Sequence, residues 1–150
     1  MNEIYKGADT KMSDENRKKA LVTGASRGIG KSIAQMLAAE GYDLYLTCHK
    51  NIEMLGEFAS GLEALYGINC NCYGFSICNE EMVAKMFRDI PYLDLLVNNA
   101  GISARESIYE YSPEEFDKIM TLNVNAVFHC IRAAVPFMKT QGGGSIINMS

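Results

Sequence analysis

The sequence predicts an α/β fold, a doubly wound parallel sheet of about five strands, and three observations carry that prediction. A short apolar run, Ala20-Leu21-Val22, opens into a loop with glycines at 24, 28 and 30. An apolar stripe of helical spacing follows at once, at Ile29, Ile33 and Leu37 with Met36 beside it. Strand-like and helix-like patterns then alternate to the end of the chain, as they do where helices cover both faces of a parallel sheet. With 48% apolar residues among 150, the chain can bury one real core.

The elements follow in order. Residues 1–17 are polar and charged, lack the apolar stretch of a signal peptide, and read as a disordered lead-in in which Met12 is an alternative start. Residues 18–150 form the domain. After the first helix, Gly41 is placed as a helix end. Asp43 to Cys48 reads as the second strand, and Leu55, Phe58, Leu62 and Leu65 mark a helix that Gly67 terminates. Gly56 and Gly61 weaken that helix, each by up to about 1 kcal/mol against Ala. Ile68 to Phe75 alternates like a third strand. Asn79 is a candidate N-cap, with Glu80 and Glu81 suiting the positive end of a short helix.

Leu93 to Val97 reads as the fourth strand and empties into Asn98-Asn99-Ala100-Gly101. Ser112 and Glu115 make a capping box, with Pro113 where a first-turn proline is tolerated. A long helix follows through Phe116, Ile119, Met120, Val124, Val127, Phe128, Ile131 and Val135, and Pro136 is expected to kink or end it. After Gly142-Gly143-Gly144, Ser145 to Met149 is the fifth strand. A buried parallel strand ordinarily feeds a crossover and a further strand. The sheet therefore reads as incomplete, truncated at its C-terminal side, with an exposed edge prone to aggregation.

Charge and composition exclude several classes. A net charge of −4 argues against a nucleic-acid partner, whose binders carry a basic footprint. No run of about eighteen apolar residues exists to span a membrane. Five cysteines, an odd count without framework spacing, suit reduced thiols in the cytoplasm. Cys70 and Cys72 share a strand face with Cys78 beyond, but no His or Cys lies at zinc-like spacing, so no metal is expected. His129, inside the long helix, needs no catalytic role.

The glycine loop is the candidate site. Glycines let backbone approach a ligand closely, and a helix start offers free N–H groups and a favourable dipole to phosphate. Gly24, Ala25, Ser26, Arg27, Gly28, Ile29 and Gly30 are therefore placed against a dinucleotide. An acid at the end of the second strand would accept a ribose 2′-hydroxyl, as sites for NAD require. Here that position reads Thr47-Cys48-His49-Lys50, with no acid. Arg27 is suited to a 2′-phosphate, with His49 and Lys50 nearby, which favours NADP (NADPH) over NAD. A solvated Arg27 and Lys50 is the alternative. Asn123 has Ile119, Met120 and Val127 as its helical neighbours, so its side chain is expected to face inward.

Thr23-Gly24-Ala25-Ser26-Arg27-Gly28-Ile29-Gly30, Asn98-Asn99-Ala100-Gly101 and the helix bearing Leu122-Asn123-Val124 together resemble the short-chain dehydrogenase/reductase family, and most of all its classical branch, which includes the 3-oxoacyl-[acyl carrier protein] reductases. The resemblance runs from Lys18 to Ser150 but covers only the N-terminal part of a family member. It implies a Rossmann-type sheet in strand order 3-2-1-4-5, a nicotinamide cofactor and reduction of a carbonyl to an alcohol. It also implies a homotetramer or dimer. Asn99, with Ala100 and Gly101, is implied on the nicotinamide-ribose side. Ser76 and Ile77 stand where the family places a polar residue near the adenine. Asn123 is implied to anchor a proton relay; bracing a neighbouring helix is the other reading.

The family's catalytic Ser and Tyr-x-x-x-Lys do not occur in these residues. The Ser is implied just after Ser150. The 150-residue polypeptide is therefore expected to be inactive by itself, and poorly soluble or molten. The substrate, a small-molecule or acyl-carrier-bound carbonyl, is named only through the resemblance. A non-catalytic nucleotide-binding remnant, an interaction protein or a cofactor sensor of the same fold remains the alternative.

Overall fold

The structure, a computed structural model, describes residues 17–104, 107 and 109–150; the expected lead-in thus lies outside the described residues except for Arg17. Five strands form one sheet: β1 (Lys19–Val22), β2 (Asp43–Cys48), β3 (Cys70–Gly74), β4 (Leu95–Asn98) and β5 (Ser145–Asn148). Every pairing is parallel, in the order β3-β2-β1-β4-β5, as the sequence predicts. The helices are α1 (Gly28–Ala39), α2 (Ile52–Tyr66), α3 (Glu80–Asp89), α4 (Pro113–Met120) and α5 (Ala126–Thr140), the last two joined by a π-helical stretch, Thr121–Asn125.

The two-residue period of a strand divides the core into two layers. Ala20 and Val22 on β1, with Leu44 and Leu46 on β2, pack beneath Ala34 and Ala38 of α1 and Leu55 and Leu62 of α2. Leu21, between them in sequence, points the other way into a second cluster with Leu96, Val83 and Met86 of α3, and Cys130 and Ala134 of α5. All residues of β1 and β2 are buried. A continuous apolar strand with helices on both sides is what the first pattern required.

Local chemistry sets the element ends. The Asn79 side chain accepts from Met82 N–H at 3.1 Å, capping α3. Ser112 and Glu115 close a reciprocal capping box, each bond at 3.1 Å. Gly67, at φ +65°, stops α2 in the left-handed region that only glycine enters cheaply.

Two strand starts depart from expectation, and of the kink or end expected at Pro136 the end does not occur. Strand β4 begins at Leu95 because the Gln141 side chain takes Leu93's backbone, accepting from its N–H at 2.9 Å and donating to its C=O at 2.6 Å. Strand β3 pairs only from Cys70, whose partner is Leu44, although Ile68 is buried. Pro136 does not end its helix, which runs on to Thr140. Proline forfeits one i→i−4 bond, and burial of Ala134 and Met138 on either side holds the segment in place.

The amino-terminal ends of the strands are pinned by charge. Lys19 Nζ donates to Asp43 Oδ2 at 3.1 Å, and the Arg17 guanidinium lies 3.7 Å from Asp43 Oδ1. Asn69 donates to that same oxygen from its backbone N–H and its side-chain amide, and the Lys19 ammonium sits 4.6 Å from the Tyr92 ring centroid. Burial opposes the Lys19 charge, but the hydrogen bond and charge of Asp43, with smaller contributions from Tyr92, outweigh it and raise the pKa above 10.5. Because the folded value is the higher one, Lys19's contribution is fully present below pH 10.5 and is lost as pH rises through the raised value.

Breaking a buried pair strands its partner's charge, at about 3–5 kcal/mol. Asp43→Ala should lower the urea-unfolding free energy by that amount. A loss below about 1 kcal/mol, the range of exposed pairs, would show that these charges are already solvated.

Candidate functional site

The carboxyl ends of β1 and β4 meet through Thr23, a fully buried hydroxyl to which the sequence reading gave no role of its own. Its Oγ1 accepts from the backbone N–H of Asn99 and of Ala100, each at 3.0 Å. In return the Asn99 side-chain amide donates to the carbonyls of Thr23 at 2.9 Å and Gly24 at 3.3 Å. Thr47, at the end of β2 and also buried, holds the glycine loop from the other side. Its carbonyl accepts from Ala25 N–H at 2.9 Å and its hydroxyl from Gly24 N–H at 3.4 Å. Both threonines sit where an apolar run meets a polar loop, the one signal that pointed to them.

This close tie explains two of the glycines. A Cβ on Gly24 would lie 2.9 Å from Ala100 Cα, and Gly24 adopts φ +68°. A Cβ on Gly30 would lie 2.4 Å from both the Asn99 amide nitrogen and the Gly24 carbonyl oxygen. Helix α1 therefore starts directly against the β1–β4 junction. Its N-terminus has no side-chain cap and no acid in its first turn. Arg27, at the N-cap, is exposed and without an ion-pair partner among the described residues; Ser26 is half-buried and Ala25 buried. Uncapped N–H groups, an unopposed helix dipole and an unpaired guanidinium together favour an anion.

The other predicted residues fall as follows. Gly28 and Ile29 are exposed in the first turn of α1. His49 and Lys50 are exposed just past β2 and lead into Asn51, a left-handed residue at φ +62°. Ser76 Oγ accepts from Cys78 N–H at 3.4 Å. Ile77 is 5% exposed, its side chain packed in the second core layer. Ala100 packs against that layer too, and Gly101 is exposed.

Asn123 is exposed, contrary to the inward orientation its helical neighbours suggested. That expectation assumed 3.6 residues per turn, and the π-helical stretch around Asn123 breaks the assumed wheel. Its amide instead grips the loop after β4, accepting from Ile102 N–H at 2.9 Å and donating to Ile102 C=O at 2.8 Å. It braces a loop rather than a neighbouring helix.

The remaining chemistry-bearing groups stay apart from this edge. Burial pushes the thiols of Cys70 and Cys130 up to about 12 and that of Cys72 to about 11, so they stay protonated at neutral pH. Among the described residues no cluster of His, Cys, Asp or Glu could hold a metal, and no helix is long and apolar enough to cross a membrane. His129 Nδ1 lies 3.5 Å from Glu80 Oε2, near enough for charge but without a hydrogen bond.

Fold and site together define a Rossmann-like α/β domain with a glycine loop at the carboxyl edge of a 3-2-1-4-5 sheet. The family model described as short chain dehydrogenase matches residues 18–150, and the chain belongs to that family. It is 39% identical over 135 residues to the gluconate 5-dehydrogenase of Gluconobacter oxydans, covering 87% of this chain and 52% of that one. A 3-oxoacyl-[acyl-carrier-protein] reductase of Staphylococcus aureus is 36% identical over 137 residues, covering 89% and 55%. Among solved structures, L-sorbose reductase from Gluconobacter frateurii, complexed with NADPH and L-sorbose, superposes with a TM-score of 0.81 at 32% identity, covering 87% of this chain and 51% of that one. The chain thus spans about half the length of the relatives it matches.

Gly30→Ala should force the β1–β4 junction apart, because neither the Asn99 amide nor the Gly24 backbone can yield the space cheaply. Overpacking of this kind costs about 1–3 kcal/mol. A thermal melt indistinguishable from wild type would show that the junction is looser than described.

Proposed function

We propose that this chain supplies the cofactor-binding part of an NADP-dependent oxidoreductase that reduces a carbonyl to an alcohol. One observation carries the reading: Arg27 stands exposed, without an ion-pair partner among the described residues, at an uncapped, acid-free helix start, and Thr47 to Lys50 at the end of β2 hold no acid to accept a ribose hydroxyl. The glycine-loop backbone from Gly24 to Gly30 would take the pyrophosphate and Arg27 the 2′-phosphate, with His49 and Lys50 placed near enough to assist. Asn99, Ala100 and Gly101 would face the nicotinamide ribose, and Ser76 with the Ile77 backbone the adenine. The L-sorbose reductase relative, described as complexed with NADPH, supports the choice of cofactor.

The cofactor, when bound, supplies a hydride. The protein must bind and orient the carbonyl and deliver a proton, a task worth about 10²–10⁴-fold in rate. Of the groups that perform it in the family, Asn123 is the one within these 150 residues, and its fixed hold on Ile102 would keep the relay's anchor in place. The relatives' names specify three different substrates, so the class proposed is a small-molecule or acyl-carrier-bound carbonyl, with 3-oxoacyl-[acyl carrier protein] as one candidate. Phe116, Val124 and Phe128, exposed on α4, the π-helical stretch and α5, fit burial between copies in a homo-dimer or tetramer. Neither a membrane nor a nucleic acid enters the proposal, and the cytoplasm is its setting.

Arg27→Ala in the NADPH-binding form should weaken NADP by about one to two decades while leaving NAD nearly unchanged, since a charge-assisted hydrogen bond is worth about 1.5–3 kcal/mol. Equal losses for both cofactors in a titration would contradict the role of Arg27. Residues 1–150 alone, given NADPH and activated ketones, should not consume the cofactor. Turnover by that polypeptide would reveal a proton donor other than the family's Tyr.

A further inference from the structure

The hydrogen bonds at the carboxyl edge do not stop at β4. Asn98 and Asn148 are register partners on β4 and β5, and the Asn98 side-chain nitrogen donates to Asn148 Oδ1 at 2.8 Å. The pairing continues one step past the strand, where Met149 N–H donates to the Asn98 carbonyl at 2.9 Å. Asn98 is 2% exposed, and its own amide oxygen has no partner among the described residues. Among the described residues, Asn148 is thus the one side-chain partner of a buried amide, whereas Asn148 itself is exposed.

Asn98 is also the residue from which the cofactor-side loop departs. The next residue, Asn99, ties to Thr23 and Gly24, and Thr47 holds Gly24 in turn. A polar line therefore crosses four strand ends, from Asn148 through Asn98 and Asn99 to the glycine loop and Thr47.

We infer that Asn148 is a positioning residue: by holding the Asn98 amide it fixes where the Asn99–Gly101 loop leaves β4, and with it the geometry of the glycine loop. The inference rests on the cofactor reading above for its consequence, though not for its geometry. Without an acceptor at 148 the buried Asn98 amide is left unpaired and must seek other partners, which shifts the backbone it belongs to. An acceptor is all that is required, so a carboxylate of the same shape should serve and an isosteric alkyl group should not.

The test compares Asn148→Asp with Asn148→Leu in the intact protein. Two readouts apply, backbone amide exchange at Asn99 and Ala100, and NADPH titration; Asn148→Ala serves as a second alkyl variant if Leu perturbs folding. Asn148→Leu should speed exchange at both amides by about tenfold or more and weaken NADPH several-fold, while exchange in β2 is unchanged. Asn148→Asp should match wild type in both. Identical behaviour of the Asp and Leu variants, or unchanged exchange at Asn99 and Ala100 in the Leu variant, would overturn the inference. The expected exchange pattern in a protein that binds no NADPH would uphold the positioning geometry and reject the cofactor reading instead.

Discussion

The structure depends on the buried hydroxyl of Thr23. A hydroxyl at the end of an apolar strand must find partners or cost about 1–3 kcal/mol. Here it accepts two backbone N–H groups from the loop that leaves the neighbouring strand β4. That tie draws the Asn99 side chain over the glycine loop, leaves no room for a Cβ on Gly30, and so brings the start of α1 onto the sheet edge. An open, anion-favouring helix N-terminus at the carboxyl end of β1 follows from packing. The site is as rigid as the junction beneath it.

The two ends of the sheet use polarity differently. At the amino ends, charges are paired and turned inward around Asp43, which fastens three strands and exposes little to solvent. At the carboxyl ends, the buried groups are neutral amides and hydroxyls, and the basic side chains of Arg27, His49 and Lys50 remain exposed. Neutral groups can be buried beside a ligand site without the desolvation cost that ions incur. Basic side chains kept in solvent stay available to an anion. This division leaves the carboxyl edge both hydrogen-bonded within and electrostatically open.

Much of this was legible beforehand where a residue's meaning is local. Alternating strand and helix patterns, the glycine loop and the cap at Asn79 depend on neighbours within a few positions; the fold class followed from them, and the strand order from the family resemblance. What depended on distant partners was not. Thr23 and Thr47 read as ordinary strand ends until β4 and β2 are laid beside β1. The capture of Leu93 by Gln141, 48 positions away, shortened β4 without a signal in either segment. Asn123 was misplaced because a periodic wheel cannot register a π-helical stretch. Pro136 is tolerated because its helix is held by packing on both sides of the missing bond.

The account's central claim is that the α1 N-terminus and Arg27 form a site for a 2′-phosphorylated dinucleotide. The most direct measurement is an NMR titration comparing 2′,5′-ADP with 5′-AMP, following the backbone amides of residues 24–30 and the Arg27 side chain. The account predicts shifts concentrated on those signals and binding of 2′,5′-ADP tighter by about tenfold or more, the value of one charge-assisted contact. Equal affinities, or shifts that fall elsewhere while residues 24–30 stay unmoved, would contradict it.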